Sequence, residues 1–307
     1  MSVSAALLSA QRARFAALDP LLPPAAPPPE GEVLDAATAD GTRVTAVLQV
    51  ERHVLGAFDL LWSAVHTWQL FPCTGGTGTA GMDALLRAWR HRMDRESPGP
   101  DSACTVTWPS RDAEAVRAFL DHGLVPLSVL AVRTSPPEDH PPPPGVTIRR
   151  AGPEDLEEVM ALSLATFRYS ALVAGPWRPG TEALIAPRLE RALAAEAPIW
   201  LAERDGVAVA LADCGWIESA PGSWAAELLP VGQWGYVNNV ATGEHARGEG
   251  IGRALMSRVH REFHERGARA TYLYFNPANP LSSVFWPRQG YRPLWSYWEV
   301  RPASALR

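Results

Sequence analysis

The feature that most constrains how this chain can fold is the proline-rich segment 134–145, TSPPEDHPPPPG. Consecutive prolines fix φ, hold polyproline II and cannot continue a helix, so they act as a semi-rigid spacer. The segment splits the chain into parts of similar size. A first domain is expected over residues 1–133, a linker over 134–145 and a second domain over 146–307. A length of 307 residues leaves room for two hydrophobic cores. A second proline cluster, Pro20–Pro29, separates an N-terminal amphipathic helix from the rest of the first domain.

The C-terminal part reads as a regular alternation. Val146–Arg150 alternates as a strand, and Pro153 opens a helix whose first turn is acidic, as the helix dipole favours. A second helix runs from about Thr181 to Ala195. IWLAERDGVAVALADCGWI (199–217) reads as two strands joined at Asp205-Gly206, a hairpin signal. QWGYVNNVAT (233–242) is a further strand. Ile251, Leu255, Val259 and Phe263 recur every four residues, as on one helix face. ATYLYFN, PLSSVFWPRQG and YRPLWSYWEVRP complete the order with strand, short helix and strand.

The N-terminal part reads as a worn copy of the same plan. EVLDAATADGTRVTAVLQVE is a hairpin around Asp40-Gly41, MDALLRAWRHRM is a helix and ACTVTW is a strand. Asp112-x-x-Ala115-x-x-Ala118-Phe119-x-x-x-Gly123-Leu124 runs in step with Asn279-x-x-Ser282-x-x-Phe285-Trp286-x-x-x-Gly290-Tyr291. This is an internal repeat of a whole domain. The fold class expected is α/β of the α+β kind, with two tandem domains. Each has a mixed, mostly antiparallel sheet flanked by helices, and the first copy is degenerate.

ARGEGIGRAL (246–255) places Gly248, Gly250 and Gly252 ahead of a helix, between Arg247 and Arg253. Glycines permit a tight turn and a close backbone approach. A helix N-terminus offers unpaired N–H donors and the positive end of its dipole. Together they form an anion site suited to phosphate, which two guanidinium groups would strengthen.

With these residues in place, the C-terminal part resembles the GNAT superfamily of acyl-CoA-dependent N-acyltransferases. The family's pyrophosphate loop R/Q-x-x-G-x-G/A is met by Arg247, Gly250 and Gly252. It follows the strand VNNVAT. The late motif N-x-x-A-x-x-F-Y-x-x-x-G-F is echoed by Asn279, Ser282, Phe285, Trp286, Gly290 and Tyr291. The resemblance covers about residues 145–300. It implies acetyl-CoA as co-substrate, with its pantetheine arm between two splayed strands and bonded to the backbone of Val240 and Thr242, Ala241 lying between them in the same cofactor-binding stretch. It implies that N–H groups from Arg247 through Gly248, Glu249, Gly250, Ile251 and Gly252 to Arg253 hold the pyrophosphate, with Asn279, Ser282 and Phe285 beside the arm. It also implies a small oxyanion hole at the Val240 N–H, of order ~3 kcal/mol in the transition state.

Two positions depart from the family pattern. Where many relatives carry an acidic Tyr, this chain has Trp286, whose indole N–H is no usable acid. Tyr291 and Ser283 are weaker substitutes. Where many carry a basic Glu, it has Asn238 and Asn239. Asn239 is expected at the reacting centre and Asn238 on the acceptor. A loop base such as Glu218, Glu227 or His245 is the alternative. An amine of pKa near ~8 needs less help than one near ~10.4. Trp177, Trp216 and Trp224 are candidates to line an apolar acceptor pocket.

His260 and His264 lie one helical turn apart and read as a solvated face; no metal is expected. The stretch CTGGTGTAGMDAL (73–85) is a possible second anion loop without a leading Arg. Its bland alternative is a purely structural domain.

A net charge of -5 argues against a nucleic-acid binder. No apolar run suggests a membrane span. Three scattered cysteines, Cys73, Cys104 and Cys214, fit a reducing cytoplasm. The expected protein is a cytoplasmic monomer or homodimer acting on a small-molecule or peptide amine. The alternative function is a non-catalytic acyl-CoA-binding sensor or partner subunit.

Overall fold

The structure is a computed structural model and describes residues 3–174 and 177–307. In chain order the first elements are α1 (Ala5–Leu18), β1 (Glu32–Ala37), β2 (Arg43–Arg52), β3 (His66–Cys73), α2 (Gly78–Met93), β4 (Ser102–Pro109), α3 (Ala113–Asp121) and β5 (Val125–Arg133). Then come β6 (Val146–Arg150), α4 (Leu156–Ala174), α5 (Thr181–Ala194), β7 (Ile199–Arg204), β8 (Val207–Ser219), α6 (Trp224–Leu228) and β9 (Gly232–Thr242). The last are α7 (Ile251–Glu265), β10 (Ala270–Phe275), α8 (Ser282–Arg288) and β11 (Arg292–Val300).

The chain packs as two compact units that do not coincide with its two halves. The first runs to Leu130 and includes Pro221–Pro230 and Pro293–Arg307; the second is Ala131–Ala220 with Val231–Arg292. The expected domains were continuous in sequence, whereas the last strand joins the first unit. The cause is pairing: β11 lies antiparallel to β4, with Trp295 opposite Pro109 and Val300 opposite Cys104.

In the first unit the strand order is β1-β2-β3-β4-β11-β5. β1/β2 and β2/β3 are antiparallel, and β3/β4 are parallel. Trp68, Trp89, Trp108 and Phe119 fill its core. In the second unit the order is β10-β9-β8-β7-β6, antiparallel except for the parallel pair β9/β10. The predicted α7 face is the buried one: Ile251, Leu255, Val259 and Phe263 are nearly inaccessible. Asp205 and Gly206 both adopt positive φ at the β7–β8 turn, as that hairpin requires.

Helices α3 and α8 carry matching end groups. The Asp112 carboxylate accepts from the Ala115 N–H at the start of α3, and Asn279 Oδ1 accepts from the Ser282 N–H at the start of α8. Both short helices end at a left-handed glycine, Gly123 with φ 83° and Gly290 with φ 81°.

Three elements lie outside the sequence expectations: β3, β5 and the short α6. β3 (HTWQLFPC) carries a proline and mixes polar with apolar residues, so alternation fails there. α1 forms as expected, capped by Ser4, but it is not an apolar-faced helix. Its buried residues are Gln11 and Phe15. The proline-rich segment is tied down within the second unit. Ser257 on α7 donates to the Glu138 carbonyl (2.6 Å) and accepts from the His140 N–H (3.1 Å). Arg133 donates to the carbonyls of Ser135, Pro136 and Gln289. Among the described residues no helix is long and apolar enough to cross a membrane.

Candidate functional site

The site grows from a defect in the second unit's sheet. β9 and β10 pair in parallel only from Trp234–Ala270 to Val237–Leu273. Beyond Val237, β9 keeps its β8 partner but has no β10 partner among the described residues. One backbone edge of Asn238–Thr242 is thereby left open. The β8/β9 register also slips there: Asp213 faces Asn239 while Cys214 faces Val237, so Asn238 is the extra residue of a β-bulge.

A polar network fixes that bulge. The Asp213 carboxylate, 1% exposed, is ion-paired with Arg188 of α5 and accepts from Asn238 Nδ2 at 2.7 Å. The Tyr236 hydroxyl donates to Asn238 Oδ1 at 3.0 Å. Burial raises the Tyr236 phenol above its usual range, so it stays protonated. Asp213 and Arg188 escaped the sequence reading. The signal was an acid inside the otherwise apolar run VAVALADCGW, where a lone carboxylate needs a partner. Asn239 behaves differently. It is 8% exposed, and both its Nδ2 and Oδ1 lack a hydrogen-bond partner among the described residues. Such a group is costly unless something else satisfies it.

β9 leads into the glycine loop. Gly248 and Gly250 both sit in the left-handed region, with φ 84° and 87°. Gly250 is the N-cap of α7, and no side chain caps that end. A Cβ at either glycine would meet nothing within 4 Å, so they serve backbone conformation in an open space. Gly252 differs: its Cβ would lie 3.4 Å from both the Phe285 ring and Thr242 Oγ1. Those residues therefore converge on the first turn of α7. Arg247 donates to the Thr242 carbonyl (3.2 Å) and lies over the Tyr169 ring, 5.7 Å from its centroid. Arg253 is exposed and makes no ion pair among the described residues, whereas Glu249 is paired with Arg204.

The other expected residues separate. Asn279 spends its Oδ1 on the N–H groups of Leu281 (3.0 Å) and Ser282 (3.2 Å), holding the start of α8. Trp286 is buried, its ring packed on Phe285 and Tyr291. Tyr291 is a buried residue. Its hydroxyl bridges His260 Nε2 (2.9 Å) and Thr271 Oγ1 (3.0 Å), and burial raises its phenol well above the usual range. Burial also lowers His260 to about 3, so it is neutral in that core, while His264 is exposed. Burial pushes the Cys73 thiol up to about 11 and raises the Cys104 and Cys214 thiols as well, so none is a ready nucleophile.

The three tryptophans have different surroundings. Trp216 packs edge-on against Phe263 near the far end of α7 (4.8 Å). Trp177 is exposed beside Arg168. Trp224 is an exposed residue of the first unit. Glu218, Glu227 and His245 are all exposed.

Residues 156–291 match the family model described as Acetyltransferase (GNAT) family. Comparison with curated proteins gives no match. Among solved structures, the chain is similar to a GCN5-related N-acetyltransferase from Sphaerobacter thermophilus. The TM-score is 0.54 at 17% identity, covering 87% of this chain and 80% of that one. It is also similar to a GCN5-related N-acetyltransferase from Ralstonia eutropha JMP134, with TM-score 0.40 and 27% identity, covering 48% of this chain and 94% of that one. The first likeness supports the same fold.

Proposed function

We propose, for a chain that belongs to the GNAT superfamily through the acetyltransferase domain at residues 156–291, that its second unit acetylates a primary amine of a small molecule or peptide. The donor is acetyl-CoA, and the amine attacks directly in a ternary complex. The observation that carries this reading is the open β9 edge running straight into an uncapped glycine N-terminus. The residues fit the donor: an unpaired strand edge for an amide-bearing arm, N–H groups and two arginines for phosphates, and an orphaned buried amide at Asn239.

Acetyl-CoA bound there supplies an activated thioester. The backbone of Val240 and Thr242 binds its arm, and Phe285 with Thr242 walls the turn at Gly252. N–H groups from Gly248 to Arg253 hold phosphate oxygens. An N–H at Val240 polarises the acyl carbonyl, an effect worth about 3 kcal/mol where such donors are aligned. The bulge network of Arg188, Asp213, Asn238 and Tyr236 fixes the strand that carries this donor. Neither asparagine takes a proton, and Asp213 is committed to Arg188 and Asn238. The amine therefore loses its proton to water, which favours acceptors of pKa near ~8 over lysine-like amines near ~10.4. Trp286 packs the site without acid chemistry.

The test is thiol release from acetyl-CoA with a panel of amines, alongside donor binding. Turnover that is faster for low-pKa amines at neutral pH supports the proposal. Tight donor binding with no turnover of any amine replaces it with a non-catalytic acyl-CoA binder. Two variants sharpen the reading. Asn239→Ala is expected to raise KM for acetyl-CoA about tenfold without lowering stability, since an unpaired buried amide is removed. Tyr291→Phe is expected to destabilise by ~1–3 kcal/mol, because two buried partners lose their bond, with kcat within a factor of two. A tenfold fall in kcat at unchanged stability would return Tyr291 to the reaction.

A further inference from the structure

The first unit contains its own version of the groove just described. β3 and β4 run in parallel like β9 and β10, and their register ends at Leu70–Val106. β3 continues to Cys73, a turn with left-handed Gly75 follows, and α2 begins without a side-chain N-cap. Here the ends of the groove are occupied by α1. Gln11, 3% exposed, accepts at Oε1 from the N–H groups of Thr74 (3.1 Å) and Gly75 (3.0 Å). Its Nε2 donates to the Pro72 carbonyl (3.2 Å), on the part of β3 that has left β4. One turn later Phe15 packs edge-on against Trp108, on the part of β4 that has left β3 (5.4 Å).

The turn is closed to anything else. A Cβ on Gly75 would lie 3.0 Å from Leu7 Cδ1 and 3.3 Å from Ala10 Cβ, so α1 already touches its backbone. At the head of α2 a carboxylate stands in for an anion. Glu114 Oε2 lies 2.6 Å from where a Cβ on Gly78 would be, and Arg14 of α1 holds it at 2.7 Å. A fixed carboxylate there satisfies the helix dipole and repels a phosphate.

We infer that α1 is a built-in occupant of the first unit's ligand groove. Gln11 provides the acceptor oxygen and the amide that an extended ligand would provide, and the protein therefore takes one acyl donor per chain. The count of one rests on the donor site proposed for α7; the occupancy by α1 does not.

Two measurements on the full chain test this. The first is hydrogen exchange at Thr74 and Gly75. Protection of at least a hundredfold over an unstructured peptide is expected, unchanged by acetyl-CoA. It should fall at least tenfold in Gln11→Ala while the interior of α2 stays protected. Gln11→Glu keeps the acceptor, loses the donor to Pro72 and should retain most of the protection; this variant serves if Gln11→Ala fails to fold. The second is acetyl-CoA stoichiometry by equilibrium dialysis, expected at one per chain. Fast exchange at Thr74 and Gly75 in the wild type, two equivalents per chain, or deprotection of α1 by acetyl-CoA would each overturn the inference. Zero equivalents with Gln11-dependent protection would uphold α1 as the occupant and remove the α7 donor site instead.

Discussion

Replacing Gly250 by Asp together with Arg247 by Ala is expected to weaken acetyl-CoA binding at least a hundredfold, about 2.8 kcal/mol, as read by calorimetry. Gly250 caps α7 at φ 87°, where a Cβ meets open space. An introduced carboxylate would not clash, but it would stand where the proposed phosphate site needs N–H donors and positive potential. Loss of Arg247 removes a guanidinium anchored, among the described residues, on the Thr242 carbonyl, the Tyr169 face and a distant Glu244. Stability should change by less than ~1 kcal/mol, because Asp is a good N-cap residue whereas a left-handed conformation disfavours any side chain. A folded double variant that binds as well as the wild type would show that these glycines serve only the turn.

The second large effect is expected in the first unit, where Asp112→Ala should cost about 3 kcal/mol in a denaturant titration. Its carboxylate is 1% exposed and holds three elements at once. It receives Arg14 of α1 (2.6 and 2.8 Å), Trp108 Nε1 of β4 (2.9 Å) and the Ala115 N–H at the start of α3 (3.3 Å). Burial alone would raise this carboxyl, but the bonds from Arg14 and Trp108 outweigh it and hold it below its ordinary value. A carboxyl depressed in the folded state contributes its stability above its unfolded pKa of ~3.9 and loses it as pH falls through the folded value. The gap between wild type and variant should therefore be constant above about pH 5 and close on acidification. A gap that persists unchanged to pH 2 would mean the loss is one of packing and not of charge.

Much of the second unit could be read from local chemistry. The α7 periodicity, the Asp205-Gly206 turn and the glycine loop each act within a few residues, so sequence carries them. The repeat of Asp112 and Asn279 was legible for the same reason, since each is a cap acting over three residues. The surroundings of Tyr291 were not legible, because its motif position says nothing about depth; its hydroxyl meets His260 and Thr271 across the fold. Asp213 was passed over because its meaning depends on Arg188, 25 residues away.

The sequence by itself determined that there would be a glycine turn ahead of α7, its bracketing arginines and the kind of domain that carries them. Those are consequences of backbone freedom and of groups that act on neighbours. Only tertiary structure decided which glycine turn stays open. β9 parts from β10 and leaves an edge free in the second unit, whereas α1 enters the matching place in the first and takes its N–H groups with Gln11. The choice rests on a contact 63 residues apart in sequence, between a helix and a turn whose local signals say nothing of each other.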